Sequence, residues 1–144
     1  MVGWQTHYHD VRVYGLDRIH PESLELGEEA AVVPDFDAEA YFRHSLGVAV
    51  YLEQQPQEVV LSFTPEQGRY FRTAPFFPFA PAAVRVDSDE EFRVALTMIV
   101  NRELVYELAR LGSGVRVIAP PALVQQVTAF HRAALARYEP EGNY

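Results

Sequence analysis

Two histidines spaced i, i+2, His7 and His9, are the first residues whose type and spacing suggest chemistry. On a strand that spacing points both imidazoles to one face, which is how a zinc site can begin. No third ligand follows at a suitable spacing, and His20 is the next histidine along, so the pair reads as surface histidines with no metal. Asp87, Asp89, Glu90 and Glu91 crowd four carboxylates together, but without the twelve-residue calcium loop, its glycine and its closing glutamate. They read as a solvated hairpin turn. Ser45 and Ser62 have no histidine partner in a nucleophile–base pattern. There is no G-x-S-x-G elbow, P-loop, H-E-x-x-H or dinucleotide fingerprint either. The expectation is a protein that is not an enzyme and carries no cofactor.

Phe76, Phe77 and Phe79, spaced by Pro78, form the densest apolar cluster. Exposed, three phenylalanines mark an interface; folded inward, they close a core. They are read here as a partly exposed lid that contributes to a dimer contact.

The elements that must position these residues follow from periodicity and punctuation. Val11–Leu16 alternates like a strand, with Arg12, Tyr14 and Leu16 on one face, and Trp4 and Tyr8 suit a partner strand in a small hairpin. His20-Pro21 breaks the pattern, and the acidic stretch 22–36 reads as a linker. Asp37 caps a short helix through His44. Val59–Phe63 is a strand, and Pro65–Phe71 is a helix with proline in its first turn and an awkward Gly68 inside it. Ala83–Val86 and Phe92–Val100 read as a hairpin around the acidic turn. Leu104, Val105, Leu108 and Leu111 recur at helical spacing behind Asn101 as N-cap, with Arg102, Glu103, Glu107 and Arg110 facing away. Gly112 stops that helix, Val115–Ala119 is a strand, and Pro120-Pro121 opens a final helix. From Val59 the order is βαββαβ plus a helix, so the expected fold is α+β, a ferredoxin-like antiparallel sheet with helices on one face.

Composition bounds the functions. With 144 residues, 49% of them hydrophobic, the chain can bury a core of its own. The absence of cysteine excludes disulfides and thiolate chemistry. No apolar run approaches the roughly 20 residues needed to span a bilayer. MVGWQTHYHD has neither the basic nor the apolar region of a signal peptide, so the expected location is the cytoplasm, with no membrane partner. A net charge of −8 argues against a broad basic surface for duplex DNA. All twelve basic residues are arginine, which reads as codon usage in a GC-rich genome.

Several of these stretches, in this order and spacing, resemble a known family. VRVYGLDRI at 11–19 resembles the closing strand and exit of the WYL domain. Tyr41-Phe42, Ser45–Val48, VVLSFTPEQGRYF at 59–71, the Asn101–Gly112 helix, Val115–Pro120 and Tyr138 resemble the C-terminal extension of WYL regulators, often called WCX. The resemblance implies a bacterial transcription regulator of WYL type. It divides the chain into the terminal strands of an SH3-like WYL barrel (1–21), a linker (22–36) and a WCX-like extension (37–144). The DNA-reading domain and most of the barrel, with its Trp-Tyr-Leu, are not in this sequence, so the expectation is an excised C-terminal region or a truncated relative. Such an extension is associated with dimer assembly and communication, hence an expected homodimer. Single-stranded nucleic acid or another anionic effector would bind through a complete barrel, and DNA only through the missing domain. Arg12 and Arg18 align with family arginines near the ligand surface, where a guanidinium fork suits phosphate oxygens. Tyr14 could stack on a base. Alternatively Arg12 is solvated, Arg18 pairs with Asp17, and Tyr14 is half-buried packing. Gly15 stands where the family pattern has arginine. The second functional reading is a small-molecule-binding ferredoxin-like domain acting at a dimer interface.

Overall fold

The computed structural model describes residues 1–5, 7–25, 27 and 36–138, and the expected linker lies largely outside them. The chain forms two units, Met1–Arg43 and His44–Tyr144.

The first unit holds a hairpin of β1 (Val2–Gln5) and β2 (Asp10–Val13), in which Trp4 pairs with Val11. The expected strand stops early. Tyr14 still exchanges backbone hydrogen bonds with Met1, but Leu16–Arg18 turns into a 3-10 helix closed by Arg18 N–H on the Gly15 carbonyl. Leu16 therefore leaves the strand face. His7 and His9 lie in the turn between the strands, with His9 at φ 49°, so the one-face spacing of a strand does not apply to them. Helix α1 (Ala38–Phe42) starts where Asp37 accepts the Ala40 N–H, and it ends before His44.

The second unit runs β3 (Gln57–Phe63), α2 (Pro65–Thr73), β4 (Val84–Asp87), β5 (Phe92–Met98), α3 (Arg102–Arg110), β6 (Val115–Ala119) and α4 (Pro121–Ala136). The order is βαββαβ followed by a helix, and the sheet order β4-β5-β3-β6 is antiparallel throughout. The fold is α+β. Alternation along the strands sends Val59, Leu61 and Phe63 of β3, Phe92, Val94, Leu96 and Met98 of β5, and Val117 of β6 to one face, all buried. Phe71 from α2, Leu104, Val105 and Leu108 from α3, and Leu123 from α4 cover that face. Each fully buried Leu or Phe contributes about 1.5–3 kcal/mol.

Gly68 has a packing reason inside a helix. A Cβ there would stand 2.6 Å from the Cβ of Phe92, so glycine lets α2 lie directly on β5. At the end of α3, Gly112 takes φ 55°, the left-handed stop that a Cβ would disfavour.

Candidate functional site: the open face of the sheet

Residues between the core positions make the second face of the sheet. Glu58, Val60 and Ser62 of β3, Arg93, Ala95 and Thr97 of β5, and Arg116 and Ile118 of β6 stand there, and none is buried. The strand register arranges them in rows. Ser62 is opposite both Arg93 and Arg116, giving a polar row across three strands. Val60 is opposite Ala95, with Ile118 at the neighbouring bulge, giving an apolar row. Glu58 is opposite Thr97, and its carboxylate takes a hydrogen bond of 3.2 Å from Arg85.

One carboxylate organises the polar row. Glu91, just ahead of β5, accepts both Arg93 Nε (2.8 Å) and an Arg93 terminal nitrogen (2.9 Å), and its Oε1 accepts the Ser62 hydroxyl at 2.5 Å. The Arg93 fork holds its carboxyl below the ordinary carboxylate range, the Ser62 hydrogen bond adds to this, and the Arg116 charge contributes a smaller part. Arg93 is thereby neutralised. Arg116 has no carboxylate within ion-pair distance among the described residues. Ser62, Thr64, Glu90, Glu91, Ser113 and Arg116 line a shallow depression of about 360 Å³ at this end of the face.

A second polar cluster fixes the loop that opens the unit. Asn101 is 2% exposed and does more than cap α3: its Oδ1 accepts the Leu104 N–H, while its Nδ2 donates to the carbonyls of Leu46 and Ala49 at 2.8 Å each. Glu103, expected to face away, turns back and accepts the N–H groups of Val48 (2.8 Å) and Ala49 (2.7 Å). A Cβ on Gly47, at φ 71°, would fall onto that carboxylate. Ser45 beside it is buried, and its hydroxyl has no hydrogen-bond partner among the described residues. The cluster is a clamp for backbone, because Asn101 Nδ2 and the Glu103 carboxylate are both spent on the loop.

The residues picked out from sequence lie elsewhere. Arg12 is exposed, 3.3 Å from Asp10, with its guanidinium over the Tyr8 ring at 5.6 Å. Arg18 is exposed and 4.0 Å from Asp17. Tyr14 is 37% exposed and lies along Gly3. No hydrogen bond, ion pair or aromatic contact among the described residues joins these three. Phe77 is buried, while Phe76 and Phe79 are half-buried and pack on Phe71 at ring distances of 5.1 and 5.3 Å. They close the core at the end of α2 and leave only their outer edges to solvent. The Ser62–Glu91–Arg93 network escaped sequence reading because its members come from two strands and a turn. The one available signal was the out-facing alternation of Ser62, Arg93 and Arg116.

Residues 55–135, more than half of the chain, match the family model described as the WCX domain. A search of the curated proteins found no match.

Proposed function

We propose, proceeding from the fact that this chain belongs to the WCX domain family, that it is the regulatory part of a WYL-type transcriptional regulator, non-enzymatic and cytoplasmic. The match over residues 55–135 is the observation that carries the reading. In this role the second unit assembles the regulator as a homodimer and passes on effector binding, and it takes no part in reading duplex DNA. The net charge of −8 supports that last point, since duplex binding draws its affinity from phosphate neutralisation. The open sheet face supplies a surface for assembly. Its apolar row, Val60, Ala95 and Ile118, stands between polar rows of mixed sign, the layout of a small interface with a dry centre and a polar rim. Phe76 and Phe79, on the helix-covered side, offer a separate half-exposed apolar patch at the edge of the core. Arg12, Tyr14 and Arg18 belong to the first unit, where a WYL barrel would present them to an anionic effector.

Light scattering over a broad dilution series tests the reading. A dimeric mass that Ile118→Arg converts to monomer is the expected result. A monomeric mass at every concentration overturns the assembly role.

A further inference from the structure

Two charges of opposite sign line one depression on the open face and do not meet. Once Arg93 and Glu91 have neutralised each other, the charged residues left in the lining are Arg116 and Glu90. Neither has an ion-pair partner among the described residues, and they are not paired with each other. The backbone that carries Glu90 is pinned: the N–H groups of Glu90 and Glu91 both donate to the Ser88 hydroxyl, at 3.2 and 3.0 Å. Arg116 is held on β6 by its register with Ser62. Ser62 and Ser113 line the same depression, and the Ser62 proton is already committed to Glu91. A small dianion would suffer from Glu90, and a plain cation from Arg116. A molecule that carries both charges can pair with both residues at once.

We propose that this depression binds a free α-amino acid as its zwitterion, the carboxylate on Arg116 and Ser113 and the ammonium on Glu90. This names the class of effector for the regulatory reading above and rests on its effector-response part. An open site with one charge-assisted contact at each end gives an affinity of about 1 mM.

Amide-resonance titration of the full 144-residue chain with the free amino acids, up to about 10 mM each, tests it. At least one is expected to move the resonances of Ser62, Glu90, Ser113 and Arg116 saturably. The N-acetyl and the carboxamide forms of that amino acid, which each lack one charge, are expected to bind about tenfold more weakly. Arg116→Gln and Glu90→Gln are expected to weaken binding to the same extent, while Arg85→Gln, at the other end of the face, leaves it unchanged. No saturable shift, a shift centred elsewhere, or equal binding of the blocked forms overturns the proposal. Light scattering on the same samples separates the two readings. A dimer indifferent to all the amino acids removes the ligand assignment alone, and a monomer that binds one removes the assembly role alone.

Discussion

Strands β3 and β5 carry two faces made from alternate residues of the same short stretches, and the faces differ in kind. On one side Val59, Leu61, Phe63, Val94, Leu96 and Met98 are sealed under three helices. On the other, Val60, Ser62, Arg93 and Ala95 are half-buried by their own neighbours in the sheet, and the row ends in exposed Arg116 and Ile118. The packed face answers to volume, because its side chains have no alternative position. The open face answers to charge and hydrogen bonding, because water competes for every group on it. Stability is concentrated on the first face.

Substitutions along β3 test that contrast most severely. Leu61→Ala is expected to cost about 2–5 kcal/mol in urea unfolding, through lost burial and the cavity left behind. Val60→Ala, one residue away on the open face, is expected to cost about 1 kcal/mol or less. Similar losses at the two positions would break the comparison.

Gly68→Ala probes how tightly the packed side is closed. The added methyl meets Phe92, and an expected loss of about 1–3 kcal/mol from overpacking outweighs the gain in helix propensity of about 1 kcal/mol. A stabilised variant would show that α2 can lift away from β5.

Asn101→Ala removes a helix cap and strands two loop carbonyls. Its expected cost is about 1–2 kcal/mol. Amide exchange at Val48 and Ala49 should accelerate with it, since Glu103 would then be the side chain left to hold that part of the loop.

The smallest effect sharpens the description of the open face. The Glu91 carboxyl lies below its ordinary value of 4.5. The ionised form therefore stabilises the fold above the unfolded-state value, and that contribution fades as pH falls through the lower folded value. Glu91→Gln should be the less stable protein at neutral pH. The urea midpoints of the two proteins should converge in acid, and a constant gap across pH would assign the loss to shape rather than to charge.

Much of this architecture was legible in local patterns. The cap at Asn101, the stop at Gly112, the proline-led start of α2 and the alternation of β3 rest on interactions within four residues or within one strand. The hairpin around Asp87–Glu91 was legible because turn residues separate two runs of β-formers. The early end of β2 was missed because Leu16 continues the alternation and only the turn at Gly15 breaks it. Glu103 was assigned to solvent because helical periodicity reports the side of a helix, and cannot report that a glycine loop folds back over its first turn. Gly68 looked like a weakness for the same reason, since Phe92 lies on a strand 24 positions further along the chain.

The sequence by itself determined the order of the strands and helices of the second unit and the inward side of α3, because hydrophobic period and capping chemistry act over a few residues. Tertiary structure alone decided that Ser62 joins Glu91 and Arg93 in one network, that Arg116 stands beside it with no ion-pair partner among the described residues, and that Phe77 closes the core. Those facts depend on strand order and register, which bring together residues about 20 to 50 positions apart. Hydrogen bonds and ion pairs act only over a few ångströms, so their partners are fixed after the sheet has formed.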